Sequence, residues 1–165
     1  MGLIRLLNED AQVRVFYDRR EGSIHGLLSV RDRDGHYLLE KAITRSGQAS
    51  ATLSSWRQGL SPCPYGDFNL WLVPNNPGQS AGATGVGEFY PIDNTGDRRT
   101  IRAPQNQRLV RREIGLHEEN SLPGSRGCIV LVYHFDWLRW SDIAMSQRER
   151  LARAGEPPCL PLIVL

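Results

Sequence analysis

Two side chains that could do nucleophilic chemistry together, His117 and Cys128, lie on either side of a Pro123-Gly124 turn and next to apolar segments. Cysteine attacks as its thiolate, and its unperturbed pKa is about 8.5, so a cysteine that works at neutral pH needs help to ionise. A histidine imidazole is a suitable base for that step. We therefore predict that the turn folds the chain back and brings the imidazole to the sulfur.

The residue before the cysteine has a separate role in this hypothesis. Gly127 has no Cβ, so its backbone can approach a substrate closely. The backbone N–H groups of Gly127 and Cys128 could then hold the oxyanion of a tetrahedral intermediate. Losing one such donor typically slows a reaction by about 10²- to 10³-fold.

The segment Ser125-Arg126-Gly127-Cys128 resembles the Ser/Thr-x-Gly-Cys signature of the YkuD family of L,D-transpeptidases, which cross-link or trim bacterial peptidoglycan. His117 matches the upstream histidine of that family, and residues 61–69 resemble its Pro-x-Gly-x-Phe strand entry more weakly. The resemblance implies Cys128 as nucleophile, His117 as base and the backbone carbonyl of Glu118 as the group that orients the imidazole. It also implies a mainly β sandwich or barrel with one helix before the last strand.

The chain departs from the family pattern at the substrate side of the motif. Val130 stands where the family usually has Arg or Asn, and Glu118 follows His117 in place of Gly or Ser. Val130 therefore suggests altered peptide binding or lost activity. The spacing of eleven positions between His117 and Cys128 is short for the family, which implies a trimmed loop over an open cleft. Two binding candidates remain in the motif. Ser125 either shapes the loop or caps the turn, and Arg126 either takes a substrate carboxylate or is simply solvated.

Metal chemistry is disfavoured by the pattern of ligand-type residues. Glu118 and Glu119 are interpreted as part of a solvated loop, and the remaining histidines, His25, His36 and His134, show no metal-ligand spacing. We expect neither a metal nor an organic cofactor. Cys63 has no matching histidine and is interpreted as structural.

Composition limits the class of protein. The chain has 165 residues, 40% of them hydrophobic, which predicts one domain over residues 1–165. A formal charge of +2 gives no electrostatic footprint for nucleic acid. No apolar run approaches the roughly 20 residues of a membrane span. Three cysteines without a Cys-x-x-Cys pair indicate neither a disulfide framework nor a zinc knuckle.

The first ten residues are too short and too soon acidic for a secretory signal. We therefore expect synthesis in the cytoplasm. A protein of this kind would reach the bacterial cell wall as a virion component, as a delivered effector or through lysis.

Alternating apolar residues predict a mainly β chain. A hairpin turning at residues 19–22 and a second turn ending in Asp34-Gly35 predict a meander of three strands. The Pro-, Asn- and Gly-rich stretch 74–85 predicts a long loop. A helix is predicted from near Asp136 or Ser141 to about Ala154, with Gly155 as its stop. Its apolar candidates are Trp137, Trp140, Ile143, Ala144 and Leu151. The predicted strands cover residues 12–18, 23–30, 36–43, 68–73, 87–91, 108–116, 128–134 and 160–165.

Three functional readings stay open from the sequence alone. The first is a cysteine acyl transferase or hydrolase that acts on peptidoglycan stem peptides through a Cys128 thioester. The second is a phage virion or tail protein that keeps the fold as a wall-binding or assembly module, with other tail proteins as partners and little catalysis. The third is an unrelated β-rich protein with an accidental motif.

Overall fold

The computed structural model describes residues 12–17, 25–47, 56, 62–82, 85–120 and 127–165, which form a mainly β structure with one helix before the last strand. The elements, in chain order, are β1 (Gln12–Tyr17), β2 (His25–Arg31), β3 (Tyr37–Ser46), β4 (Gly66–Trp71), β5 (Phe89–Asp93), β6 (Thr100–Arg102), β7 (Val110–Arg112), β8 (Gly115–Glu118), β9 (Ile129–Leu131), α1 (His134–Arg153) and β10 (Cys159–Val164).

Eight of these strands close into a barrel in the order β1-β10-β4-β5-β8-β9-β3-β2, and β6 pairs with β7 as a separate two-stranded sheet. The predicted meander is confirmed, because β1, β2 and β3 pair antiparallel in sequence order. Apolar and polar residues alternate along these three strands, and successive residues of a strand point to opposite faces. The apolar residues of each strand therefore share one face, which packs into the core. Examples are Val13, Leu28 and Ala42.

Two predicted strands differ from the observed ones. The predicted strand 108–116 is interrupted at Glu113, whose φ of 58° turns the backbone out of the extended region, so β7 and β8 are separate elements. The predicted strand 128–134 was wrong at its far end, because β9 stops at Leu131 and His134 opens the helix. Strand β6 was not predicted.

Helix α1 packs against the core cluster through four of the apolar residues that the sequence predicts for it, Trp137, Trp140, Ala144 and Leu151. Trp137 and Trp140 are buried and meet the ring of Tyr90 edge-on, with ring centroids 5.6 and 5.5 Å apart. The helix ends as predicted before Gly155, which has a φ of 69°. Across the part of the chain that the structure describes, no helix combines the length and apolar character that a membrane crossing requires.

The connection around the His117–Cys128 motif differs from a simple hairpin. The Pro123-Gly124 turn was predicted to fold the chain back between these two residues, and a short turn of this kind usually joins antiparallel strands. Instead β8 and β9 run parallel, with Leu116 opposite Ile129 and His117 opposite Val130. A parallel pair needs a crossover connection rather than a hairpin. The turn residues 121–126 lie outside the described residues, as does the predicted turn at residues 19–22.

The predicted long loop 74–85 has no regular strand where it is described. Two isolated bridges, Asn75 with Phe89 and Gly82 with Gly85, are its only strand-like pairings among the described residues, and residues 83–84 lie outside them.

Candidate functional site

The parallel pairing brings Cys128 close to His117 in register. His117 is the register partner of Val130, and Cys128 lies two residues before Val130, directly before β9 begins. Because alternate side chains of an extended chain share one face, we infer that Cys128 lies on the face that carries His117. We call this the outer face, because Leu116, Ile129 and Leu131 of the same strands point into the core cluster.

The imidazole of His117 is held in one orientation by its neighbours. Its Nδ1 lies 2.8 Å from the carbonyl oxygen of Glu118, the group that the family resemblance assigns to this role. A carbonyl only accepts hydrogen bonds, so Nδ1 carries the proton and Nε2 of the neutral ring has the free lone pair. The ring of Phe89 stacks on the imidazole at a centroid distance of 6.3 Å and an interplanar angle of 22°. This tautomer suits a general base.

Gly115 makes room for that stacking. A Cβ on Gly115 would lie 2.6 Å from the carbonyl oxygen of Tyr90 and would also collide with the Phe89 ring. The absence of a side chain therefore lets Phe89 lie across β8 next to His117. This glycine was not identified from the sequence, because its requirement comes from a neighbouring strand.

The thiol of Cys128 is half-buried and has polar groups around it. Its Sγ donates to the carbonyl oxygen of Glu113 at 3.6 Å. Burial raises the pKa of the Cys128 thiol to about 11, while the N–H of Gly115 and the charge of Arg111 act in the opposite direction. The resting sulfur is therefore protonated at neutral pH.

Burial also changes the histidine. It lowers the pKa of His117, the backbone carbonyl of Glu118 acts against that shift, and the charge of Arg45 lowers the pKa further. At neutral pH the pair consists of a thiol and a neutral imidazole. Such a pair can work by proton transfer during attack rather than through a preformed thiolate–imidazolium ion pair.

Gly127 adopts a conformation that favours glycine. Its φ is 108°, and a Cβ there would lie 2.7 Å from Cζ of Arg111. Arg111 is fully buried and donates from Nη1 to the carbonyl oxygen of Pro62 at 2.6 Å. The guanidinium therefore packs directly against the backbone that precedes the thiol. Sequence reasoning missed Arg111, since an arginine in a short strand is normally read as exposed.

Strand β3 pairs with β9 on the side opposite β8 and contributes Arg45 to the outer face. Arg45 is the register partner of Val130, so Val130 lies between Arg45 and His117. Arg45 forms an ion pair with Glu119, which the sequence interpretation had assigned to a solvated loop. The Glu118 side chain, in turn, contacts Nδ1 of His134.

We expect replacement of Arg45 by methionine to move the acid limb of Cys128 reactivity to higher pH. Arg45 lowers the pKa of His117, so removing its charge raises that pKa, and the imidazole then becomes a base only at higher pH. The measurement is the rate of Cys128 alkylation by iodoacetamide as a function of pH. Arg45→Lys keeps the charge and should leave the acid limb near its original position. An unchanged acid limb in Arg45→Met would contradict the assignment of His117 as the titrating group.

The remaining predicted site residues divide into described and undescribed ones. Ser125 and Arg126 lie outside the described residues, so their predicted roles stay predictions. Cys63 is fully buried in the core cluster, and His25 and His36 are exposed. The side chains of Asp32, Asp34 and His36 come within 4.8 Å of one another at an exposed turn.

Comparisons of the chain with protein-family models, with curated proteins and with solved structures found no match. The described residues form a closed eight-stranded barrel, with His117 on β8 and Cys128 directly before β9, the parallel neighbour of β8.

Proposed function

We propose that the chain is a cysteine-dependent acyl transferase or hydrolase of the L,D-transpeptidase type, acting on peptidoglycan stem peptides. The observation that supports the proposal is the parallel pairing of β8, which carries His117, with β9, which Cys128 directly precedes, together with the contact of the imidazole Nδ1 with the Glu118 carbonyl. That contact leaves Nε2 as the proton acceptor. The motif residues 125–128 support the choice of substrate.

The proposed reaction has two halves. In the first, Sγ of Cys128 attacks the amide carbonyl that follows diaminopimelate in a tetrapeptide stem, while His117 takes the thiol proton. The tetrahedral intermediate collapses, the C–N bond breaks, and the leaving amine takes that proton from His117. The product of this half is a thioester on Cys128.

The second half determines the net reaction. Attack by water on the thioester releases a shortened stem peptide and gives carboxypeptidase or endopeptidase action. Attack by an amine of a second stem gives a 3→3 cross-link. In either case His117 takes a proton from the attacking group and returns one to the sulfur, which regenerates the resting pair. For a protein that reaches the wall from a particle or an injection system, the hydrolytic outcome is the more useful one.

The test is to incubate the purified protein with muropeptides that carry tetrapeptide stems and to follow both products and protein by mass spectrometry. We expect shortened or cross-linked muropeptides and a transient acyl adduct on the peptide that contains Cys128. Cys63 and Cys159 are internal controls. Cys63 is fully buried, and burial raises the pKa of its thiol to about 12. Unchanged muropeptides together with an unmodified Cys128 would contradict the proposal.

A second candidate function is a wall-binding or assembly module that retains the fold without turnover. Two observations favour it: Val130 replaces the usual polar residue, and burial raises the pKa of the Cys128 thiol to about 11. This candidate predicts that the protein sediments with purified peptidoglycan and leaves its muropeptide composition unchanged.

A further inference from the structure

Two fully buried side chains, Ser46 and Arg111, hold the backbone before the proposed nucleophile against the segment that contains Cys63. Ser46 Oγ accepts a hydrogen bond from the N–H of Cys63 at 2.9 Å and donates one to the carbonyl oxygen of Gly127 at 3.2 Å. Arg111 donates to the carbonyl oxygen of Pro62, and its guanidinium also lies against Gly127. Both side chains therefore bridge the same two segments, which fixes the guanidinium in place.

The charge of Arg111 lies near Cys128 whichever way the cysteine side chain points. A Cβ on Gly127 would lie 2.0 Å from Nη2 of Arg111, so Nη2 is in contact with Gly127 itself. Consecutive Cα atoms are about 3.8 Å apart, so Sγ of Cys128 stays within about 10 Å of Nη2 in every rotamer. A guanidinium does not lose its proton in a protein, so this positive charge is permanent.

A buried charge has a strong effect over such a distance. Arg111 is fully buried, so salt and water screen its charge only weakly. At an effective dielectric constant of about 20, a unit charge about 10 Å from an acid changes the ionised fraction of that acid roughly tenfold. Burial is the larger influence and raises the pKa of the Cys128 thiol to about 11, while the charge of Arg111 acts against that increase. The guanidinium therefore favours the thiolate.

The other charged groups around Cys128 do not supply a comparable charge. Glu113 carries the opposite charge and raises the pKa of the thiol, and both Glu113 and Arg45 belong to ion pairs. His117 is neutral at neutral pH, because burial lowers its pKa. Among the described residues, the charged and titratable groups on the elements around Cys128 are Arg45, Cys63, Arg111, Glu113 and His117.

We propose that the buried guanidinium of Arg111 stabilises the negative charge that Cys128 acquires when its thiol gives up its proton. This role rests on the proposed function only in taking Cys128 as the reactive thiol. Arg111 needs no contact with substrate for it and transfers no proton. Removing the charge should therefore reduce the thiolate population, whereas a change that keeps the charge should not.

The test measures alkylation of Cys128 by iodoacetamide in a His117→Gln background, where no imidazole contributes and the rate follows the thiolate population. We expect Arg111→Gln to slow labelling about 3- to 10-fold at every pH from about 7.5 to about 9.5. The loss of thiolate is roughly tenfold, and the higher nucleophilicity of a less acidic thiol offsets part of it. Arg111→Lys keeps the charge and should stay within about twofold of the background.

Arg99→Gln is the matched control for loss of a positive charge near the site. Arg99 pairs with the side chain of Glu113 and is exposed, so water screens its charge. Its replacement should leave labelling of Cys128 within about twofold of the background. Cys63 reports on folding in the same samples, because it is fully buried and should be labelled only where the barrel opens.

Three results would overturn the role of Arg111. The first is equal labelling of Cys128 in Arg111→Gln and in the background. The second is equal slowing in Arg111→Lys, because packing rather than charge would then matter. Arg111→Met is measured in parallel, so that a folding defect of one neutral variant does not decide the result. The third is rapid labelling of Cys63 in both neutral variants, since the residue would then serve the fold alone.

Failure of the proposed function gives a different result. If the unchanged protein leaves muropeptides intact while Arg111→Gln slows labelling of Cys128 and Arg111→Lys does not, the proposed function fails and the role of Arg111 stands. If muropeptides are converted and the charge of Arg111 has no effect on labelling, the role of Arg111 alone is overturned.

Discussion

Replacing His117 with glutamine is expected to lower the rate of muropeptide turnover at neutral pH by about 10²- to 10⁴-fold, the usual contribution of a positioned general base. The effect should be large because burial raises the pKa of the Cys128 thiol to about 11. With so little thiolate available at pH 7, attack depends on removal of the proton during the reaction. Glutamine keeps hydrogen-bonding capacity at that position and cannot accept the thiol proton as a base.

The matched control for this experiment is His134→Gln. His134 also lies next to Glu118, whose side-chain oxygen contacts its ring, but it opens helix α1 and is exposed. We expect its replacement to leave turnover within about threefold of the unchanged protein, since an exposed group of this kind seldom contributes more. Equal turnover in His117→Gln and the unchanged protein would remove His117 from the mechanism.

Replacing Gly127 with alanine is expected to destabilise the fold by about 2–5 kcal/mol. A φ of 108° costs a residue with a Cβ about 1–2 kcal/mol, and overpacking of a buried site costs about 1–3 kcal/mol more. The second contribution arises because the new Cβ would lie 2.7 Å from Cζ of Arg111. Arg111 cannot easily move away, since it is fully buried and hydrogen-bonded to the Pro62 carbonyl.

Gly96→Ala separates the two contributions. Gly96 has a φ of 86°, and a Cβ there would meet no atom within 4 Å. Its replacement should therefore cost only the backbone contribution of about 1–2 kcal/mol. The measurement is the free energy of unfolding from urea denaturation of both variants. Equal losses in Gly127→Ala and Gly96→Ala would contradict the packing of Arg111 against Gly127.

Local sequence patterns were enough to predict the three-stranded meander and the helix. The alternation in β1, β2 and β3 identified the meander, and Trp137, Trp140 and Leu151 identified the buried face of the helix. Gly155 marked the helix end because a left-handed residue there stops the hydrogen-bonded ladder. In each case the signal lies within a few residues of the structure that it determines.

Strand direction around the motif could not be predicted in the same way. The Pro123-Gly124 pair is a local turn signal, and a local turn most often joins antiparallel strands. The parallel pairing of β8 with β9 depends on neighbours far away in sequence, because β9 also pairs with β3 and β8 also pairs with β5. These long-range pairings determine the direction of β9 relative to β8. They cannot be read from the eleven positions between His117 and Cys128.

The residues of the candidate site also differ in whether the sequence alone identifies them. His117, Gly127 and Cys128 are visible in the sequence because they lie in one short motif. Ser46 and Arg111 are not, because a serine at a strand end and an arginine in a short strand are normally surface residues. Their burial follows from the closure of the barrel, which brings both of them to Gly127.

The most direct test of the central claim, that His117 activates the thiol of Cys128, is the rate at which iodoacetamide labels each cysteine near pH 7. Peptide mapping by mass spectrometry resolves Cys63, Cys128 and Cys159 in one sample. We predict that Cys128 is labelled fastest and that His117→Gln removes this advantage. Labelling of Cys128 no faster than that of Cys159, or labelling unaffected by His117→Gln, would contradict the claim.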